Sequence, residues 1–125
     1  MENWRKHLDA AERFLRSAKT IIKESPEIVP IIAHRALEHL IMALVYKLSP
    51  SEAPLLDSHG KRRSWLTRVI RSGILPYELL SIYDELSRIY KRSTYLLENS
   101  ELAREALDLA EKALEIIRGK LGVEG

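Results

Sequence analysis

The chain has 125 residues, enough for one domain with one real core. It is 46% hydrophobic and 30% charged with a net charge of +2, the balance of a globular protein rather than of a disordered or strongly polyionic chain. It contains no cysteine, which excludes disulfides, thiolate metal sites and cysteine nucleophiles.

The first helix is expected from Asn3, an N-cap residue, to Glu24, with an apolar stripe of Leu8, Ala11, Leu15, Ala18 and Ile22 at three- and four-residue spacing. The opening residues carry no apolar signal region, so a cytoplasmic location is expected. Ser25-Pro26 reads as a cap followed by proline at the first helical position, but Pro30 removes another backbone donor one turn later. The second helix therefore starts at Pro26 or afresh at Pro30, and ends near Leu48.

Within it, Ile31–Leu48 is the most informative stretch. Its second half is apolar almost all the way round, the pattern of a helix enclosed by others. Its first half carries His34, Arg35, Glu38 and His39, and titratable groups on an enclosed helix need partners. His34 and Glu38 are four apart, as are Arg35 and His39, so each pair shares a face. A metal could use His34 and Glu38. A bundle-core metal site, however, draws ligands from facing helices, often as Glu-x-x-His, and that motif is absent, as is a second His/acid pair at ligand spacing. The reading is a buried polar cluster that fixes helix packing, with no metal and no cofactor. Four polar residues interrupt the stretch, so no membrane span is expected.

A proline-bounded connection, Ser49 to Gly60, leads to a short third helix, Lys61 to Ser72, which Gly73 can terminate. Trp65, Leu66, Val69 and Ile70 form its apolar face. From His59 to Ser72 there are five basic residues, Lys61, Arg62, Arg63, Arg68 and Arg71, and no acid. That basic surface could meet an anion or RNA, or could be a solvated charged face.

Pro76 opens the fourth helix, expected to reach Leu97, with Leu79, Ile82, Tyr83, Leu86, Ile89, Tyr90 and Ser93 toward the core. At 100° per residue, Arg88, Arg92 and Tyr95 project together opposite Leu86. Tyrosine beside two arginines suits a phosphate contact or a dimer interface. The fifth helix runs from Glu101 to Lys120, with Ser100 as its cap, Leu102, Ala106, Leu109, Ala113 and Ile117 inward, and Asp108–Lys112 as a surface i,i+4 pair. No segment alternates like a strand. The fold class is all-α: one domain over 1–125, an up-and-down bundle of four long helices plus one short one. Neither a glycine-rich phosphate loop nor a nucleophile elbow is present.

The chain resembles a HEPN domain, the small helical module of prokaryotic toxin–antitoxin and nucleotidyltransferase-associated systems; an archaeal PaREP-type helical protein is similar in build. The resemblance rests on Ala33-His-Arg-Ala-Leu-Glu38-His-Leu-Ile-Met-Ala43-Leu44, on His59 after a loop and before a helix, on Tyr90-Lys-Arg92-Ser-Thr-Tyr95, and on the final Ala/Leu/Glu-rich helix. Ribonuclease members carry Arg followed after four to six residues by His, whereas no histidine follows Arg92 here. The resemblance thus implies a non-catalytic homodimer that binds a nucleotidyltransferase partner, nucleotide or RNA. The enzymatic alternative is a divergent ribonuclease or nucleotide-processing protein using Arg92 with His34, His39 or His59. The third reading is a purely structural bundle.

Overall fold

A computed structural model describes residues 2–93 and 100–123. Five α-helices follow in order: α1 (Asn3–Ile21), α2 (Val29–Leu48), α3 (His59–Arg71), α4 (Glu78–Ser93) and α5 (Ser100–Leu121). Single 3-10 segments, Pro26–Ile28 and Pro50–Leu55, precede α2 and α3, and there is no strand among the described residues. The helical bundle expected from the periodicity is what forms.

The helix boundaries follow local chemistry. α1 stops at Ile21 rather than Glu24, because Ser25, next to Pro26, takes an extended φ of −138° that no helix admits. Both prolines then find a use. Pro26 begins the 3-10 turn, and Pro30 sits in the first turn of α2, where the missing N–H would have no helical partner. α3 starts at His59, two residues earlier than expected, because the Ser58 hydroxyl accepts the Lys61 N–H at 3.2 Å. Gly73, at φ +84°, ends it as expected, with the Gly73 N–H on Ile70 O and the Ile74 N–H on Val69 O. The expected run of α4 on to Leu97, and the side chain of Ser93, lie outside the described residues. Ser100, expected as a cap, is already the first residue of α5.

α2 is the centre. It packs against each of the other four helices. Val29, Pro30, Ala33, Ala36, Leu37, Leu40, Ile41, Ala43, Leu44 and Val45 are all buried, on more than half of the helix's circumference. Small residues let the neighbours approach closely: Ala33, Ala36 and Ala43 on α2, Ala11 and Ala18 on α1, and Ala103, Ala106, Ala110 and Ala113 on α5 are almost all fully enclosed. Trp65 of α3 is 1% exposed, so it belongs to the core and not to a surface that stacks on bases.

One reason given from sequence and one sequence expectation are corrected. By length and composition Pro26–Leu48 is apolar enough to cross a membrane, despite its polar residues, but more than half of it is buried inside the bundle, as befits a core helix. Lys112 pairs not with Asp108 but with Glu78 of α4 at 3.2 Å, since its long side chain reaches the first turn of the neighbouring helix. Further ion pairs, Lys19–Glu111 at 2.7 Å and Arg118–Glu12, tie α5 to α1.

Leu44→Ala, at a fully buried position on α2, is expected to lower unfolding free energy by about 2–5 kcal/mol in urea titration. Leu55→Ala, 67% exposed beside α3, should change it by less than about 0.5 kcal/mol.

Candidate functional site

The polar residues of α2 do not form one cluster. Residues 34 and 38 lie one turn apart and face α3 and α4. His39, rotated about 100° further round, faces α1, and Arg35 is exposed rather than buried. The expected four-residue cluster is therefore two separate sites and a surface arginine.

The larger site joins three helices. Glu38 and Arg62, whose side chains are only 16% and 18% exposed, form its base. The Arg62 Nε donates to Glu38 Oε2 at 2.6 Å, and Nη2 closes on the same oxygen. Nη1 donates to the Leu56 carbonyl at 3.0 Å, which ties the approach to α3 to the same guanidinium. Arg62 thus belongs to the interior and not to the basic surface expected of it. The other Glu38 oxygen, Oε1, is buried with no hydrogen-bond partner among the described residues.

His59 stands over that oxygen. Its Nδ1 lies 3.6 Å from Glu38 Oε1, beyond hydrogen-bond length, and is likewise buried and unpartnered. Its ring stacks on Tyr83 (centroids 4.6 Å apart, planes at 9°), and its Nε2 is 3.4 Å from Ser87 Oγ. Tyr83 O–H donates to the His59 carbonyl at 3.4 Å. Burial, and then the nearby Glu38 carboxylate, push the Tyr83 phenol well above its usual range, so it stays protonated. His34 completes the site, stacked on Tyr90 of α4 (4.5 Å) and facing the His59 ring at 5.7 Å. Burial lowers the His34 pKa against the pull of Glu38, which raises it. One ligand atom each from His34, Glu38 and His59 falls within 4.8 Å of the others. The sequence reading found no partner for a His34/Glu38 ligand pair. His59 supplies one from a different helix.

The second site is smaller. His39 Nδ1 and His7 Nδ1 of α1 are 2.9 Å apart, so one ring donates and the other accepts. Phe14 stacks on His39 and Tyr46 on His7. Burial, then the neighbouring His39, hold His7 below the usual histidine value; burial, then Arg35, do the same for His39.

The basic stretch of α3 is largely neutralised. Lys61 binds Asp57 at 2.9 Å, Arg62 binds Glu38, Arg63 makes a bidentate pair with Asp84 (2.7 and 2.8 Å), and Arg68 binds Glu52 at 2.5 Å. Arg71 is exposed on the last turn. On α4, Arg88 pairs with Glu85 at 2.9 Å and Arg92 is exposed in the final turn. Tyr95, expected beside them, lies outside the described residues.

The family model of the HEPN domain matches residues 4–120. The chain belongs to the HEPN domain family. No curated protein and no solved structure matches it. The two parts of the HEPN resemblance read from α2 and from the start of α3, Glu38 and His59, are the residues that meet in the larger site. Sequence reasoning missed Ser87 and the inward turn of Arg62. Spacing on α3 alone could not show that a carboxylate 24 residues earlier faces it.

Glu38→Gln removes the charge that Arg62 is buried against, and is expected to lower stability by about 1–3 kcal/mol in chemical denaturation. A second expectation concerns pH. His7, His34 and His39 have folded-state pKa values below 6.5, so the unfolded chain takes up protons first. Stability is then full above about pH 6.5 and falls as pH drops below it. Urea melts at about pH 8 and about pH 5.5 should differ, and His39→Gln should flatten that difference.

Proposed function

We propose that this HEPN domain is a non-catalytic homodimeric module that binds nucleotide or RNA phosphate through the end of α4, at Arg88, Arg92 and the adjoining Tyr95. The observation that carries the reading is where the histidines stand. All four are engaged in the two inner sites, and none contacts Arg92 among the described residues. A ribonuclease that needs no metal requires a proton-transfer group beside the cation that holds the phosphate. Tyr90, on which His34 stacks, and Arg92 diverge by about 200° round α4. This arrangement supports binding without cleavage over a divergent nuclease.

Charge supports the choice of Arg92 over the paired cations of α3, Lys61, Arg62, Arg63 and Arg68; Arg88 beside it has its own partner in Glu85. Each ion pair on α3 would have to be broken, or its carboxylate repelled, for a phosphate to bind there. Arg92 has no carboxylate partner among the described residues, and one strand of phosphates attracts such a cation through counterion release. In fluorescence anisotropy with a short single-stranded RNA, Arg92→Ala is expected to weaken binding and to reduce the salt slope by about 0.7. The RNA stays uncut. Light scattering at micromolar concentration should give a dimer; a monomer whose RNA affinity ignores Arg92→Ala sinks the proposal.

A further inference from the structure

The polar site between α2, α3 and α4 contains a mismatch that the phosphate reading leaves unexplained. Ser87 Oγ donates its one proton to the Tyr83 carbonyl at 2.8 Å. Toward His59 Nε2, 3.4 Å away, Ser87 can then only accept, so Nε2 carries the proton. In the neutral ring that leaves a lone pair on Nδ1. This lone pair faces Glu38 Oε1, which is also an acceptor, and both atoms are buried and unpartnered at 3.6 Å. The pair needs something positive between the two atoms, a proton on Nδ1 or a metal ion, and at 3.6 Å no hydrogen bond joins them.

We propose that His34, Glu38 and His59 form a three-ligand site for a zinc-class divalent cation, with a fourth position left for water. The ligand set is two imidazoles and a carboxylate, which suits Zn²⁺ rather than Mg²⁺ or Ca²⁺. The ligand atoms lie within 4.8 Å of one another, and tetrahedral zinc with bonds of about 2.0–2.1 Å would draw them to about 3.3 Å. Small ring and carboxylate rotations cover that difference. The second layer is in place. Ser87 receives the far ring N–H of His59, the relation that fixes the tautomer of a metal-bound histidine. Arg62 occupies only Oε2 and so turns Oε1 toward both imidazoles. The Tyr83 and Tyr90 rings hold the two histidines by stacking. His34, its pKa lowered mainly by burial, is in the neutral form a metal requires. The His59 side chain is 40% exposed, which gives the ion a way in.

The His7–His39 pair is the internal control. Its two Nδ1 atoms are 2.9 Å apart, but among the described residues no carboxylate joins them at ligand distance. The test is titration of the chelator-treated full chain with Zn²⁺, by calorimetry and by ¹⁵N-resolved NMR of the histidine rings. One Zn²⁺ per chain is expected to bind, with the His59 Nδ1 and His34 ring resonances shifting and those of His7 and His39 unmoved. His34→Ala and His59→Ala should each weaken binding at least about tenfold, with circular dichroism confirming the fold. Should a variant unfold, the ring resonances of the unaltered chain decide. Absence of saturable binding up to millimolar Zn²⁺ overturns the site, as does binding that survives either substitution in a folded variant. A response at His7 and His39 instead overturns it too, as does a His59 ring that stays doubly protonated and ignores Zn²⁺. None of these readouts depends on RNA or on Arg92, so the site and the phosphate reading stand or fall separately.

Discussion

Enclosure of α2 by four other helices sets the terms for everything polar upon it. A carboxylate at Glu38 cannot keep its water once α3 and α4 close over it, and an ionised group in that position costs several kcal/mol unless it is paired. Arg62 answers that need from the first turns of α3, and its third nitrogen holds the Leu56 carbonyl, so the charge pair also fixes how the connection from Pro50–Leu55 enters α3. With α3 held there, His59 is carried over Glu38 and its ring laid on Tyr83. The site therefore follows from solving a burial problem. Its residues would sit near these places in a purely structural bundle as well, and what marks the site out is that the solution is incomplete: Arg62 satisfies one oxygen of Glu38 and leaves the other facing His59 Nδ1 with no hydrogen bond between them.

Much of this was legible in the sequence and some was not, for physical reasons. The apolar periodicity of α1, α4 and α5 located those helices, and Gly73 marked the end of α3, while its start two residues before Lys61 depends on the Ser58 cap, which the sequence reading passed over. The i,i+4 rule correctly separated His34/Glu38 from Arg35/His39, but could not say which pair would be inside, because α2 is apolar nearly all round and has no polar side by which to orient it. Arg35 falls on the one sector left open to solvent. Arg62 was taken for surface because it sits in a run of cations; on a helix of 13 residues, neighbours in such a run point in different directions, and one of them can turn inward.

The same run shows why counting charges misjudges a partner surface. Five basic residues without an intervening acid suggest an anion-binding face, but the carboxylates that meet them come from elsewhere in the chain: Asp57 from the preceding connection, Glu52 from the 3-10 segment, Asp84 from α4 and Glu38 from α2. The field of α3 is thereby that of a set of ion pairs. These contribute little stability where exposed, but they oppose a phosphate by keeping a negative oxygen beside four of the five cations, all but Arg71. Any electrostatic attraction for an anion falls instead to cations without such company among the described residues, such as Arg92.

The two histidine sites share an origin but differ in the groups they bring together. Each arises because α2 must find a neighbour for an imidazole, and each finds another imidazole: His7 for His39, His59 for His34. Around both His39 and His34 burial lowers the pKa and the Glu38 carboxylate raises it in part, with Arg35 opposing it most at His39, and His59 and Arg62 opposing it at His34. The His7–His39 pair is held by a single shared N–H, whereas at the other site the Glu38 carboxylate itself stands within ligand distance. What the α2–α3–α4 site adds is a carboxylate at ligand distance from its imidazoles, although the α1–α2 site holds its two nitrogens closer together. Proximity of ligands is not sufficient; the carboxylate within reach decides where a cation can rest.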